Sequence, residues 1–315
     1  MGTPDFAVEP LKVLIENNYN IVGVVTNPDK PAGRGQKILE SAVKKYAQEQ
    51  GLKILQPEKF RNEDFLNELN SLKADLQIVV AFKMLPKIVW SMPKYGTFNI
   101  HASLLPQYRG AAPINWAIIN GDTKTGVSTF LLKHEIDTGN ILFQEEVPIH
   151  ENDNVGIIHD KLMHKGAELV LKTVNAIING DYKQINQDSI VNNPELLKHA
   201  PKIFKADCKI NWTKNVNNIH NLIRGLSPYP AAWTEIKNDK NSIQLKIFKT
   251  EKEITNHNNK SGEITTDNKY FLKVAVQDGF IHILELQQAG KKRITVTEFL
   301  RGFQKINEYH FSTID

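Results

Sequence analysis

A single cysteine, Cys208, in 315 residues excludes an internal disulfide framework and any zinc site built from several thiolates. No stretch approaches the ~18 consecutive apolar residues of a membrane span, and Met1-Gly2-Thr3-Pro4-Asp5 has neither the basic nor the apolar region of a secretory leader. A cytoplasmic protein with no membrane association is therefore expected. Gly33-x-Gly35 lacks the third glycine of a dinucleotide fingerprint. No Ser or Cys nucleophile stands at a spacing that would assign it to a histidine, so an acyl-enzyme is not indicated. What remains is ordinary for a globular chain: 41% hydrophobic and 23% charged residues, with a length that suggests two domains.

The net charge of +4 is unevenly divided. Residues 201–315 hold 18 Lys+Arg against 12 Asp+Glu, whereas residues 1–200 hold 21 against 23, so the basic excess of +6 lies in the C-terminal part. That distribution suits contact with a polyanion such as RNA, and equally a solvated lysine-rich surface.

The stretch with most chemistry is Phe98-Asn99-Ile100-His101-Ala102-Ser103-Leu104-Leu105-Pro106. Thr97, Phe98 and Ile100 predict a strand after a turn at Gly96, and Pro106 ends it. Asn99 and His101, two apart, then point the same way at the strand's carboxyl end, where open α/β sheets bind ligands. Downstream, Ile136-Asp137-Thr138-Gly139 lies between the apolar runs Val127–Leu132 and Ile141-Leu142-Phe143, which predicts a tight turn presenting a carboxylate to His101. Amide, imidazole and carboxylate suit direct acyl transfer to an amine, with Asn99 and protonated His101 donating to the developing oxyanion and Asp137 holding the imidazolium. His134-x-x-Asp137 has no further ligand nearby in sequence, so no metal is expected.

Asn99-x-His101, Ser103-Leu104-Leu105-Pro106 and Asp137-Thr138-Gly139 resemble the signature of the 10-formyltetrahydrofolate-dependent formyltransferase family. The opening Gly2-Thr3-Pro4-Asp5-Phe6-Ala7, the segment Lys30-Pro31-Ala32-Gly33-Arg34-Gly35 and the closing domain extend the resemblance over essentially the whole chain. It implies a Rossmann-like formyltransferase domain over residues 1–183, a linker over 184–203, and an OB-like β-barrel domain over 204–315. It also implies catalytic roles for Asn99, His101 and Asp137. The folate co-substrate, 10-formyltetrahydrofolate, would be held by Ser103, Leu104, Leu105 and Pro106, by the Phe82, Met84 and Leu85 loop, and by Glu135 and Ile136. The implied acceptor is the free amine of initiator methionyl-tRNA, used in translation initiation; Lys30, Arg34, Lys37, Lys291, Lys292 and Arg293 are its expected contacts, and no obligate protein partner is implied. A related enzyme acting on a sugar-nucleotide amine is the alternative.

Several local expectations follow. Ile21–Thr26 and Leu76–Ala81 read as buried strands, with helices over residues 40–49 and 62–71 and a short strand at Lys53-Ile54-Leu55. Two prolines and two glycines predict an irregular basic loop from Asn27 to Lys37. Asn154 to Ile178 reads as a long amphipathic helix capped by Asn152 or Asp153. The Asn/Gln-rich sequence after Gly180 reads as linker. A doubly wound fold would carry a buried strand before Gly2, as family members do, and an incomplete start is expected.

Overall fold

The computed structural model describes residues 1–32, 37–191, 193–303 and 305–312. The chain divides into two compact units, the first holding residues 1–110, 125–148 and 159–199, the second residues 111–124, 149–158 and 200–315.

The first unit opens with α1 (Val8–Glu16) and a short β1 (Val24–Val25). Lys30–Ala32 (β2) and Lys37–Leu39 (β3) then form an antiparallel ribbon, with Pro31 opposite Ile38. The expected irregular loop is thus corrected to a two-stranded hairpin. Proline needs only a position where no ladder N–H is required, and a two-stranded ribbon has open edges on both sides. Its tip lies outside the described residues. Ser41 accepts from Lys44 N to start α2 (Ala42–Glu49), β4 (Ile54–Leu55) pairs parallel with β1, and Asn62 caps α3 (Glu63–Ser71) through Phe65 N.

Next come β5 (Gln77–Val80), α4 (Lys87–Trp90), β6 (Thr97–His101) and β7 (Arg109–Gly110). After α5 (Pro113–Ile119), a part of the second unit, follow β8 (Lys124–Leu131) and β9 (Ile141–Pro148). The central sheet runs β5-β6-β8-β9. β5 and β6 are parallel, while β8 lies antiparallel to β6 with Asn99 opposite Phe130 and His101 opposite Ser128. β6 is paired along both edges and its two faces are also covered: Phe98 and Ile100 on one and His101 on the other are buried. A buried strand needs no polar alternation.

Met1 and Gly2 lie between β1 and β5. The terminal ammonium donates to Ile78 O at 2.7 Å, Met1 O accepts from Val80 N at 2.9 Å, and Gly2 N donates to Val25 O at 3.0 Å.

The long α6 (Val155–Asn179) starts one residue later than a cap at Asp153 would put it and two later than a cap at Asn152: Asn154 Oδ1 accepts from Ile157 N, while Asp153 Oδ2 is taken by His150 N. Gly166 on α6 permits close packing on β6, since a Cβ there would meet Ile100 Cδ1 at 2.7 Å. No helix among the described residues is long and apolar enough to cross a membrane.

In the second unit, after β10 (His199–Ala200), Asn215 caps α7 (Val216–Leu226). The strands β11 (Ala232–Lys237), β12 (Ser242–Ile254), β13 (Ile264–Thr266), β14 (Leu272–Val276), β15 (Gly279–Gln288), β16 (Arg293–Thr295) and β17 (His310–Phe311) form a curved, barrel-like sheet in the order β13-β14-β15-β12-β11-β17, β16 pairing with β15. A register shift in β12 between Ile247 and Thr250 bends the strand, which is how such a sheet curls. Trp212 is fully buried in this core, its indole donating to Thr234 Oγ1 at 2.8 Å. α8 (Val296–Gly302) begins with a capping box of Thr295 and Glu298.

Within this unit His220 on α7 is buried, its Nδ1 3.0 Å from Thr250 Oγ1 and its Nε2 3.4 Å from Glu151 O. Desolvation, aided by nearby Arg224 and Lys252 and opposed by the Glu151 contacts, pushes it down to about 4 from 6.5. The unfolded chain therefore takes up a proton below pH ~6.5 while the folded chain does not until ~4, and stability falls across that window. The loss is about 3 kcal/mol at ~1.4 kcal/mol per pH unit. Denaturant unfolding of the wild type and H220Q should thus diverge in slope between those pH values; parallel profiles would refute the assignment.

Candidate active site

Asn99 and His101 stand at the carboxyl end of β6, as the alternation of a strand requires, and Asp137 stands in the turn between β8 and β9. His101 Nε2 lies 2.9 Å from Tyr108 O. A carbonyl only accepts, so Nε2 carries the proton and Nδ1 is the nitrogen left for chemistry. Nδ1 faces Asp137 Oδ2 across 3.9 Å, too far for a hydrogen bond but close enough for charge attraction. Both side chains are nearly covered, at 8% and 11% exposed, so water screens their interaction little.

Asn99 Oδ1 is buried and has no hydrogen-bond partner among the described residues. A buried polar atom without a partner costs about 1–3 kcal/mol and calls for an explanation. The amide is not spent on holding the strand in place, which leaves it for a bound group.

Asp137 is held in left-handed backbone with φ 55°, a conformation that Asp tolerates better than most residues. Its Oδ2 accepts from Gly110 N at 3.0 Å, and Thr138 Oγ1 donates to Glu135 O at 3.1 Å inside the turn. Gly139 is required by contact: a Cβ there would stand 1.7 Å from Leu131 O.

The residues expected to meet folate divide into two sets. Ser103 is fully buried, its hydroxyl donating to Gln107 O and its carbonyl accepting from Ser128. Leu105 packs with Phe130 and Ile141, its N–H donates to Ser128 Oγ and its carbonyl accepts from Gln144 Nε2. These two shape the loop from inside. Leu104 and Pro106 are half-exposed and remain accessible. After β5, Leu85 is buried in the core with Val79 and Val89, Phe82 lies edge-on to Phe60, and Met84 is 71% exposed. Glu135 is exposed and Ile136 is 63% exposed beside Asp137. Met84 and Ile136 are therefore the large apolar side chains that these two segments leave exposed.

Among the expected RNA contacts, Lys30 on β2 is exposed, Lys37 lies on β3, and Arg34 falls outside the described residues. Lys291, Lys292 and Arg293 are exposed at the start of β16. Arg293 is also committed within the protein, to Glu285 at 2.6 Å and over the Phe248 ring at 4.4 Å, so the two lysines are the freer cations.

No thiol competes for a catalytic role here. Cys208 belongs to the second unit, is buried, and its thiol is pushed up mainly by that burial, away from the reactive thiolate. Two residues beside Asp137 had no signal in the sequence: Arg109, half-buried on β7, and Gln187, fully buried in a 3-10 turn over Gln187–Ile190. A glutamine in an Asn/Gln-rich stretch shows no periodicity that would mark it as interior.

The chain is similar to known proteins along nearly its whole length. The formyl transferase profile matches residues 1–174, and the formyl transferase C-terminal domain profile matches residues 202–304. Methionyl-tRNA formyltransferase of Bacteroides fragilis is 56% identical over 315 residues, all of this chain and 97% of that protein. The enzyme of the same name from Phocaeicola vulgatus is 61% identical over 306 residues, 96% of this chain and 94% of that one. Among solved structures, WlaRD, a sugar 3N-formyl transferase crystallised with dTDP and 5-N-formyl-THF, aligns with a TM-score of 0.64 at 25% identity, covering 92% of this chain and 97% of that one.

Proposed function

The chain belongs to the formyl transferase family, and from that premise we propose that it transfers a formyl group from 10-formyltetrahydrofolate to the free amine of initiator methionyl-tRNA. The observation that carries this reading is end-to-end identity of 56% to a methionyl-tRNA formyltransferase, against 25% to the sugar enzyme. Both share the fold, so the fold does not separate the two acceptors; the identity does.

When bound, 10-formyltetrahydrofolate supplies a formyl group carried on nitrogen. The acceptor's α-amino group, near pKa ~7.7–8.0 in ordinary peptides, is partly neutral at pH 7 and attacks the formyl carbon. The new C–N bond forms, the bond to the donor nitrogen breaks, the amine gives up a proton and the donor nitrogen takes one. Asn99 donates through its side-chain amide to the oxygen on which negative charge develops. His101, as the imidazolium, donates to the same oxygen from Nδ1, since Nε2 is held by Tyr108 O. Asp137 faces that nitrogen and stabilises the positive ring. A substrate or water atom lying beside this 3.9 Å gap, at about 2.8 Å from both Nδ1 and Oδ2, would bridge them and carry a proton between the two groups. Leu104, Pro106, Phe82, Met84 and Ile136 contact the folate. Lys30, Arg34, Lys37, Lys291 and Lys292 contact tRNA phosphates, which makes binding salt-sensitive.

The test is formyl transfer to charged initiator tRNA, run beside a dTDP-linked amino sugar. Turnover with the tRNA and none with the sugar is expected. The reverse would move the assignment to the sugar-nucleotide class, and release of formate unaffected by either acceptor would mark a hydrolase.

A further inference from the structure

We propose that Gln187 is a positioning residue for the formyl-transfer reaction, holding the backbone of the Asp137 turn so that the carboxylate meets His101; this rests on the catalytic reading of those two residues. Gln187 has no exposed surface, and its amide is fully used. Oε1 accepts from Arg109 Nε at 2.9 Å and from Arg109 Nη2 at 2.7 Å. Nε2 donates to Asp137 O and to Gly139 O, both at 2.8 Å. Two donors and two acceptor positions are the whole capacity of a primary amide.

The orientation of that amide is dictated by its neighbours. A guanidinium can only donate and a backbone carbonyl can only accept, so oxygen must face Arg109 and nitrogen must face the turn. The carbonyls of Asp137 and Gly139, drawn onto one nitrogen, bracket the turn. That bracket is needed because Asp137 sits in left-handed backbone, which persists only where its surroundings over-determine it. The ring then closes through β7. Arg109 orients Gln187, and Gly110, its neighbour, donates to the Asp137 carboxylate at 3.0 Å. Main chain and side chain of Asp137 are thereby fixed from one dipeptide and one glutamine, and Oδ2 is left 3.9 Å from His101 Nδ1.

Gln187 touches no reacting atom, so its effect must pass through Asp137. Gln187→Met keeps length and volume but loses both donors and the acceptor. Initial rates with saturating substrates are to be compared for wild type, Q187M, D137N and the double variant. Turnover of Q187M is expected to fall about 10- to 100-fold, the scale of an ångström-sized misplacement. KM for both substrates should change little, and the double variant should be no slower than D137N, because a displaced carboxylate cannot be lost twice. Turnover of Q187M near wild type, or losses that multiply in the double variant, would overturn the proposal. D137N at wild-type turnover would instead remove the role of Asp137, and the inference with it. Should circular dichroism show Q187M unfolded, R109Q replaces it: a fall in turnover that D137N masks is expected, and unchanged turnover overturns the proposal.

Discussion

His101→Ala is expected to lower formyl-transfer turnover about 10²- to 10³-fold, the scale found when one donor to a developing oxyanion is removed. The protein should remain folded. His101 ends β6 rather than filling its middle, and within the protein its ring is hydrogen-bonded through Nε2 to Tyr108 O. Truncation leaves that carbonyl short of a donor and opens a small cavity, a destabilisation of about 1–3 kcal/mol. The loss in rate should appear in kcat more than in KM, since the imidazolium meets a charged oxygen only as the reaction proceeds. His101→Gln distinguishes roles: its amide can still donate to an oxygen but cannot accept and return a proton at neutral pH. Partial recovery by H101Q would assign His101 chiefly to oxyanion stabilisation, and none would assign it chiefly to proton transfer. An alanine variant turning over at wild-type rate would sink the catalytic reading altogether. The measurement is single-turnover formylation of charged tRNA with enzyme in excess, which separates chemistry from product release.

How much of this site could be read in the sequence depends on how local the cause was. The strand Thr97–His101 and the turn at Asp137 were legible because β-formers, a preceding glycine and an Asp-Thr-Gly turn act over a few neighbours. The helix over residues 62–71 was legible for the same reason, its Asn62 cap lying next to its apolar stripe. The hairpin joining Lys30–Ala32 to Lys37–Leu39 was not, because its proline and glycines argued for loop while the pairing of Pro31 with Ile38 depends on two segments meeting. At the start of α6, Asn152 and Asp153 were the expected caps, but Asp153 turns back to His150 N and the cap falls to Asn154, the residue expected to open the helix. Nor could the sequence divide Ser103 and Leu105, bound up with Ser128 and Gln144, from the accessible Leu104 and Pro106. Gln187 is the furthest case. It opens a 3-10 turn just after the chain has returned to β9, where Ile185 and Ile141 exchange backbone hydrogen bonds at 2.9 Å. A polar residue that is interior only because a distant strand meets it carries no mark in its own neighbourhood.

Gly139→Ala should be as damaging as any change within the site itself, although the added group is one methyl. A Cβ at this position would stand 1.7 Å from Leu131 O and 2.8 Å from both Leu131 C and Phe130 Cδ2. Two of these three atoms are backbone. Leu131 is fixed by its register opposite Phe98 on β6 and by its N–H to Asn140 O at 3.0 Å, so the strand cannot yield without disturbing the central sheet. The turn must yield instead, by more than an ångström to reach ordinary contact. Asp137 is two residues away and shares its clamp, since Gln187 bonds both carbonyls. Displacing Gly139 O therefore pulls on the same nitrogen that holds Asp137 O. The expected result is a loss of turnover of about 100-fold or more from the misplaced carboxylate. Overpacking should add a destabilisation of about 1–3 kcal/mol, read as a lower denaturation midpoint. Asp137→Asn, which changes charge but not shape, should lose turnover without that second effect. Turnover and stability of G139A both at wild-type values would show that the turn bends freely, and the account of how this carboxylate is aimed would fail with it.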